Sequence, residues 1–455
     1  MKDRLLDALR HSTADYADIR VSVDDGLHLA YRGQEAEHAS AWNSAGGIVR
    51  ACTKGGWGII TFDALDDLPR RVAEACQCAR LIGRERTQLA PVPAVDSVRR
   101  AVLKRDFRGV SVDDKVRLVQ AYNAVIIGAH KAVQSSHVGY EEEFRTVYFA
   151  STDGAYYQEE RPRVSLRLSA TARAGALVQH AYDGTASPDD YGAVLGWEAA
   201  AREIADRAVA LLAAPKCAAG AASVVLDPRL AGVFAHEAFG HLSEADFLYE
   251  NPRMRELMHL GREMGVAHLN IIDDGTHPGA LGTHAFDDEG APVTRVPLIT
   301  RGVLTAHLHS RETAAKMNAQ PSGNARACEK HHAPIVRMRN TFIENGCTPL
   351  DELFKGVDHG IYACDSNGGQ TEFEMFTFSA AYGYRIEHGR KGELVRDIVL
   401  TGNVFETLKK IDAIGNDFSF YQNAGGCGKG GQSPLPVSFG SPHVRIRDVI
   451  VGGAQ

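Results

Sequence analysis

Apolar and polar residues alternate with two different periods along the first half of the chain, and together they predict a mixture of helices and strands. Alternation with period two, bounded by turn residues, is typical of strands with one solvated face. The predicted strands of this half cover residues 18–23, 27–32, 46–52, 56–62, 135–143, 145–151, 155–160 and 163–174. The predicted helices cover residues 3–10, 66–82, 112–129 and 191–212.

A run of small residues, 213–220 (AAPKCAAG), separates this half from a second half with many glycines and short strands. A chain of 455 residues exceeds the size at which one hydrophobic core keeps growing. We therefore predict an α+β fold with two domains, a mixed α/β amino-terminal domain over 1–215 and a strand-rich, antiparallel, sandwich-like or barrel-like carboxy-terminal domain over 216–455. The clearest strands of the second domain are predicted at 295–300, 303–310, 371–386, 393–404 and 444–449.

The most informative segment stands at the start of the second half. Residues 221–226 (AASVVL) predict a short buried strand, and Asp227 with Pro228 supplies a cap residue and a first-turn proline for a new helix. Residues 230–242 (LAGVFAHEAFGHL) are mostly small or apolar, so this helix should be largely buried. Ionisable side chains in a buried helix are costly unless they are paired or bound to metal. The two histidines and the glutamate of this helix therefore need partners.

His236, Glu237 and His241 are residues of the types that form a hydrolytic zinc site. Neutral imidazoles suit Zn²⁺, a catalytic zinc takes three protein ligands and a water, and a neighbouring Glu can take the proton of that water. The alternative is a pair of ordinary helix histidines and a solvated charge. The histidines are five positions apart, which places them about 140° apart around a regular α-helix. The spacing therefore predicts an irregularity within residues 239–242, either a π-turn or a break at Gly240.

This helix alone does not identify a third ligand. Cys427 lies among glycines in residues 423–432 (NAGGCGKGGQ), where the backbone can approach an ion closely, and a thiolate is a strong zinc ligand. The alternative for Cys427 is a small buried residue in a flexible loop. The other candidates for the third ligand are the remaining cysteines, Glu244, Asp246, His277, His284, His331 and His332.

The overall composition argues against several classes of function. The net charge is −7, from 50 basic and 57 acidic residues, and no basic block is present, which disfavours direct nucleic-acid binding. The amino terminus lacks the apolar core of a signal peptide, and no stretch approaches the roughly 20 apolar residues of a membrane span. Eight cysteines at scattered spacings fit reduced thiols better than a disulfide framework. We therefore expect a soluble, cytoplasmic protein that binds neither nucleic acid nor membrane.

Three further motifs have more than one interpretation. Residues 273–275 and 287–290 are acidic but lack the ligand spacing of an EF-hand, so we predict turns there and no calcium site. Residues 322–326 (SGNAR) end in Arg326, whose paired donors could orient a substrate carboxylate. A solvated turn with a structural arginine is the alternative. We keep Arg326 as a candidate substrate-binding residue.

Taken in order, the motifs of the second half resemble those of the TldD/PmbA family of metallopeptidases, and specifically its metal-binding TldD-type members. The matching residues are 236–241 (HEAFGH) with 242–246 (LSEAD), 273–276 (DDGT), 286–290 (FDDEG), 322–326 (SGNAR) and 427–432 (CGKGGQ). The first half matches in length and layout only. The resemblance implies zinc bound by His236, His241 and Cys427, with Glu237 activating water. It also implies a two-domain subunit that works as a dimer, either with itself or with a related partner that lacks the metal motif.

The resemblance further implies cleavage of unfolded or small peptides, including removal of leader segments from modified peptides. We therefore predict a zinc-dependent peptidase in which an extended peptide lies along a sheet edge and Glu237 moves the proton. The first alternative is a non-enzymatic regulator or partner protein in which a structural zinc only joins the domains. The second is a metal-independent hydrolase, for which no nucleophile motif such as G-x-S-x-G is present.

Overall fold

The first half of the chain forms one large sheet with long strands. The structure, a computed structural model, describes residues 1–85, 88–422 and 424–453. Short 3₁₀ turns at Phe107–Gly109 and Tyr191–Val194 precede the last two helices of this half. The helices are α1 (Lys2–Leu9), α2 (Leu68–Ile82), α3 (Val112–Ala129) and α4 (Glu198–Ala213). The strands are β1 (Tyr16–Arg32), β2 (Glu35–Thr53), β3 (Gly56–Phe62), β4 (Asp96–Arg99), β5 (Val133–Ser151), β6 (Tyr156–Ala174) and β7 (Leu177–Ser187).

The strands of this sheet are longer than the sequence predicted. Their order is β3-β2-β1-β5-β6-β4, with β7 also paired to β6, and the pairing is antiparallel except between β4 and β6. The predicted strands 18–23 and 27–32 merge into β1. The predicted strands 135–143 and 145–151 likewise merge into β5. The polar residues that resembled breaks are buried and paired. Asp24 lies 3.0 Å from Arg145 on the neighbouring strand, so the ladder continues past it.

One face of this sheet is apolar and the other is polar, because successive side chains of a strand point to opposite faces. Ile19 packs in a core with α1 and α2, and Leu29, on the same strand, packs in a second core with α3 and α4. Asp18 and Arg20 alternate with these positions and are also buried, at 1% and 4% exposed. The helices therefore cover the apolar face, and the polar face contacts the second half of the chain.

The second half is rich in strands, as predicted. Its helices are α5 (Pro228–Phe234), α6 (Ala245–Glu250), α7 (Pro252–Leu257), α8 (Arg311–Lys316), α9 (Leu350–Lys355) and α10 (Val404–Lys409). Its strands are β8 (Gly220–Leu226), β9 (Ile271–Asp274), β10 (Arg295–Thr300), β11 (Val303–Leu304), β12 (Ala325–Arg326), β13 (Ile335–Val336), β14 (Asn340–Ile343), β15 (His359–Glu372), β16 (Met375–Glu387), β17 (Arg390–Val395), β18 (Ile398–Asn403), β19 (Ile411–Ile414), β20 (Ser419–Gln422), β21 (Cys427–Lys429), β22 (Gln432–Leu435), β23 (Ser438–Ser441) and β24 (Val444–Gly453).

Five of these strands close into a ring in the order β15-β8-β24-β18-β16, since β16 pairs back onto β15. A second, six-stranded sheet has the order β11-β10-β9-β14-β23-β20. The ring contains one parallel pair, β8 with β15, and the six-stranded sheet contains another, β14 with β23. The prediction of antiparallel pairing was therefore wrong at these two places. Parallel neighbours need a long connection, and both pairs join strands far apart in sequence. The segment predicted as one strand, 371–386, instead contains the end of β15, the turn and most of β16.

The predicted link, residues 213–220, runs from the end of α4 at Ala213 to the start of β8 at Gly220. Within it the backbone N–H of Cys217 donates to the carbonyl of Arg396 at 2.8 Å, which attaches the link to the second half. The division into two domains at residue 215 stays a prediction.

The structure also bears on two expectations from composition. All eight cysteines are free thiols, as their scattered spacing predicted. Among the described helices, none combines the length and the apolar character needed to cross a membrane.

The acidic turn, residues 286–290, joins the two halves through buried ion pairs. Asp288 lies 3.0 Å from Arg161 and 3.6 Å from Arg20, and the glutamate after it lies 3.1 Å from Arg50. Burial raises the pKa of Asp288, but the two arginines outweigh burial and hold this pKa well below its usual range. The segment is a turn, as predicted, and arginines of the first half pair with the carboxylates of Asp288 and Glu289.

Asp288→Asn should test how strongly these pairs hold the halves together. Removing one partner of a buried ion pair costs about 3–5 kcal/mol, because the other charge stays buried. We therefore expect the free energy of unfolding in urea to fall by about 3 kcal/mol. The matched control is Asp66→Asn, which removes a carboxylate that is 94% exposed and 3.4 Å from Arg4. It should change stability by about 0.5 kcal/mol or less, and equal losses in the two variants would contradict the role of the buried pairs.

Candidate functional site

The predicted strand, cap and helix are present, and the helix is irregular where its histidines lie. Asp227 caps α5 by accepting a hydrogen bond from the backbone N–H of Leu230 at 2.8 Å. The chain continues as a π-helix over Ala235–Gly240 and a 3₁₀ turn over His241–Ser243. The wider turn of a π-helix brings positions five apart to the same side. The predicted irregularity is confirmed, and it begins at residue 235, before the predicted window 239–242.

Gly240 is required by packing and not by an unusual backbone conformation. Its φ of −58° and ψ of −49° are ordinary helical angles, so the backbone does not break there. A Cβ added at this position would lie 2.0 Å from the sulfur of Met338. The glycine therefore lets the helix approach the segment that contains Met338.

Three side chains that can bind a metal converge beside this helix. The donor atoms of His236, His241 and Cys427 all lie within 4.8 Å of one another, and Cys427 Sγ is 3.4 Å from His241 Nε2. The Nδ1 atom of His236 is buried and has no hydrogen-bond partner in the described part of the chain. Two imidazoles and a thiol gathered this closely fit an ion such as zinc. Among the described residues, this is the one group of three or more such ligands gathered so closely.

The electrostatic environment favours the thiolate form of Cys427. Burial raises the pKa of this thiol, but His236 and His241 outweigh burial and lower the pKa to about 4. Burial lowers the pKa of His241, while Glu244 and Cys427 outweigh it and raise this pKa well above its usual value. The thiolate is the form of cysteine that binds metal.

Glu244 and Asp246, two of the alternative third ligands, are engaged elsewhere. Glu244 Oε2 lies 3.0 Å from His241 Nδ1 and 2.9 Å from Lys429 Nζ, and Asp246 lies 2.7 Å from the same ammonium. With Nδ1 held by a carboxylate, His241 directs Nε2 at Cys427, which is how outer partners commonly orient a metal-binding imidazole. Lys429 was not among the predicted site residues, although it lies in the same glycine-rich motif as Cys427.

A cavity of about 650 Å³ opens beside the cluster. Glu237 lies in its wall with 29% of its side chain exposed, and the carboxylate is 3.8 Å from His241 Nε2. Residues 369–373 also line the cavity, a contribution not predicted from sequence because the predicted strand began at residue 371. The available signal was the polar, glycine-containing run immediately before that strand. The other lining residues are His241, Leu242, Glu244, Phe247, Gly428 and Lys429.

Arg326 and the other candidate residues lie outside this cluster. The guanidinium of Arg326 donates to the carbonyls of Met338 at 2.6 Å and Pro436 at 2.7 Å. It lines a second cavity, of about 230 Å³, together with His284. Its proposed contact with substrate stays a prediction. Also outside the cluster are the remaining candidate histidines, His277, His331 and His332.

Sequence models of one family match three segments of the chain. The PmbA/TldA metallopeptidase domain 1 matches residues 17–79, the central domain matches 105–212 and the C-terminal domain matches 219–453. The chain belongs to the TldD/PmbA family. The predicted resemblance is confirmed. The similarity to the TldD/PmbA family also extends into the first half, which the motif-based resemblance matched in length and layout only.

TldD/PmbA relatives align with nearly the whole chain. A metalloprotease of Synechocystis sp. is 43% identical over 443 residues, which is 97% of this chain and 96% of the relative. A zinc metalloprotease TldD homolog of Saccharolobus solfataricus is 28% identical over 446 residues, 97% of each chain. The solved structure of TldE from Thermococcus kodakarensis has a TM-score of 0.76 at 19% identity and covers 100% of both chains, so the fold is shared.

The cap of the site helix should make stability depend on pH. Burial, together with Asp365, raises the pKa of Asp227 to about 7. An unfolded Asp has a pKa of about 4. Between about pH 4 and about pH 7 the folded chain therefore holds a proton that the unfolded chain has released. The contribution of Asp227 to the free energy of unfolding is greatest below this window and falls as the pH rises through it.

Asp227→Asn cannot titrate and keeps one capping oxygen. We expect the difference in unfolding free energy, variant minus parent, to increase between about pH 4 and about pH 7, because only the parent loses stability there. Urea denaturation of both proteins at several pH values measures this difference. A difference that stays constant across the range would contradict the raised pKa.

Proposed function

We propose that this chain is a zinc-dependent peptidase that hydrolyses peptides or unfolded polypeptide segments. The proposal is carried by one observation: three metal-binding side chains, with donor atoms within 4.8 Å of one another, lie beside a cavity of about 650 Å³. The names of the Synechocystis and Saccharolobus relatives, a metalloprotease and a zinc metalloprotease, support the same reaction class.

His236, His241 and Cys427 would hold the ion. Three protein ligands leave one position for water, whereas structural zinc sites commonly use four protein ligands. When bound, zinc supplies Lewis-acid chemistry, since it polarises a carbonyl and lowers the pKa of water. Glu244 keeps the ring of His241 oriented through Nδ1, and Lys429 in turn holds Glu244.

Glu237 is the residue that would move the proton. It follows His236 directly on the π-helix, yet its side chain reaches the cavity while that of His236 is buried. A carboxylate in the cavity wall can take a proton from the attacking water and deliver it to the leaving amine. The 3.8 Å separation from His241 keeps it next to the metal-binding cluster.

The substrate would bind as an extended strand beside β15. Residues 366–372 of β15 pair with β16 along one edge, and β8 pairs with the other edge only as far as Ala363. Among the described residues no strand occupies the rest of that edge, and residues 369–373 line the cavity. Main-chain hydrogen bonds along an edge bind peptides with little sequence selectivity. This mode suits unfolded polypeptides and the leader segments of modified peptides.

We also propose that the chain works in the cytoplasm as a dimer, with itself or with a related metal-free subunit, and without nucleic-acid or membrane partners. The family resemblance supports the dimer. The eight free cysteines support a reducing compartment, and the net charge of −7 opposes nucleic-acid binding. The alternative function, a non-enzymatic regulator or partner protein with a structural zinc, requires that metal binds and peptides remain intact.

Metal analysis of the purified protein tests the three ligands. We expect about one zinc per chain in the parent, and its loss in His236→Ala and Cys427→Ala. The controls are His359→Ala and Cys347→Ala, which change exposed residues of the same types and should keep the zinc of the parent. A parent that binds no zinc, even when zinc is supplied, would exclude the proposed mechanism.

Glu237→Gln tests the catalytic step separately from metal binding. We expect the variant to keep its zinc and to lose at least about 100-fold of its activity, since a positioned proton-transfer group contributes about 10²–10⁴-fold. The assay counts new amino termini released from chemically unfolded casein. Glu35→Gln, at an exposed position of β2, is the control with parental activity. Undiminished cleavage by Glu237→Gln would show that the assignment is wrong, and a zinc-bound parent without cleavage would favour the structural-zinc alternative.

A further inference from the structure

A short hairpin carries Cys427, and its own bonds are too few to fix it. We name residues 427–435 the cysteine hairpin; it consists of β21, β22 and their turn. Its strands pair at Cys427 with Leu435 and at Lys429 with Gln432, and three of its nine residues are glycine. A two-stranded hairpin of this size is marginal by itself. The position of the Cys427 thiol must therefore be set by contacts from outside the hairpin.

Arg337 makes such contacts from the buried side. Its guanidinium donates one hydrogen bond to the carbonyl of Cys427 at 2.8 Å and another to the carbonyl of Gln432 at 3.2 Å. One rigid fork of donors therefore bridges both strands of the cysteine hairpin, and one of its acceptors belongs to the candidate metal ligand itself. The planar guanidinium suits this geometry because its donors are fixed relative to each other.

The charge of Arg337 has no evident stabilising partner. The side chain is completely buried, and no carboxylate within the described ranges lies at ion-pair distance from it. Its Nε atom is also buried without a hydrogen-bond partner in the same ranges. Burying an unpaired cation is costly. The two hydrogen bonds to the cysteine hairpin are therefore the compensation that the structure shows for this buried charge.

Lys429, a residue of the cysteine hairpin, anchors it through its own side chain. Its ammonium lies 2.9 Å from Glu244 and 2.7 Å from Asp246. Glu244 in turn contacts the ring of His241 at 3.0 Å. The side chain of Lys429 thus connects the hairpin, through Glu244, to the imidazole of His241. Arg337 holds the main chain of Cys427.

We infer that Arg337 is a positioning residue that holds Cys427 within reach of both imidazoles before any metal arrives. The inference rests on the proposed metal site but not on peptidase activity. A ligand set that is already ordered binds its ion without a further ordering cost. Loss of the fork should therefore weaken metal binding and release the thiol.

Cobalt(II) titration of Arg337→Met and Arg339→Met tests this inference. Arg339 is a matched control, because it is also buried, at 1% exposed, and donates to two carbonyls, those of Gly323 and Gly282, that lie outside the cysteine hairpin. Cobalt replaces zinc in such sites, and a cobalt–thiolate bond produces a charge-transfer absorption that reports on the sulfur ligand.

We expect Arg337→Met to bind cobalt about 10-fold to 100-fold more weakly, the loss typical of removing an outer partner of a metal ligand. Its charge-transfer absorption per bound ion should also fall. Arg339→Met should keep the affinity and absorption of the parent. Parental values in Arg337→Met, or equal losses in both variants, would overturn the inference.

A second measurement keeps the test decisive if Arg337→Met does not fold. Arg337→Lys retains the charge, but a single ammonium cannot bridge the two strands as the fork does. In metal-free protein, we expect alkylation of Cys427 to be about tenfold faster in this variant, the change expected from losing one hydrogen bond to a charged group. Cys76, which is also buried, should react at the parental rate. Equal Cys427 rates in parent and variant would overturn the inference, whatever the peptidase assay shows.

Discussion

Two imidazoles five positions apart can face one thiol only if the helix departs from regular α-helical geometry. The π-helix at Ala235–Gly240 meets this constraint, and several neighbouring features depend on it. The cap at Asp227 fixes where the helix begins, and therefore where the wider turn falls. Met338 packs where Gly240 has no side chain, and Glu244 follows one turn later to hold the second ring. The geometry of the cluster thus originates in the register of a single helix.

Buried guanidinium groups serve as backbone donors throughout the second half. Arg326, Arg337 and Arg339 are each at most 3% exposed, and each donates to two backbone carbonyls. The strands around them are short, so ladder bonds satisfy few carbonyls, and buried carbonyls need donors from elsewhere. Of the three, Arg337 bonds to the glycine-rich cysteine hairpin, whose Cys427 faces a helix nearly two hundred residues earlier in the chain. In the first half, arginines take a different role, because there they pair with the carboxylates of the acidic turn.

The cluster is closed on one side and open on the other, and the proposed chemistry uses both sides. His236 and Cys427 are each 4% exposed, which strengthens electrostatic interactions between the ligands. Glu237 reaches the cavity, which is where the proposed water and peptide would bind. The free part of the β15 edge lines the same cavity, so the candidate proton acceptor and the candidate peptide-binding edge face one space.

The sequence by itself determined the local features: the strand before Asp227, the cap, the irregular helix, the histidine pair with its glutamate, and the family. The local features follow from periodicity and from short-range spacing, and the family follows from the resemblance of several motifs taken in order. Only the tertiary structure decided the long strands of the first half, where buried Asp24 resembles a turn until Arg145 is placed beside it. Tertiary structure also decided the parallel strand pairs, and it brought Cys427 to the histidines while engaging Glu244 elsewhere. Such choices depend on contacts between residues far apart in the chain, and local patterns carry no information about which distant charge or carbonyl will be the partner.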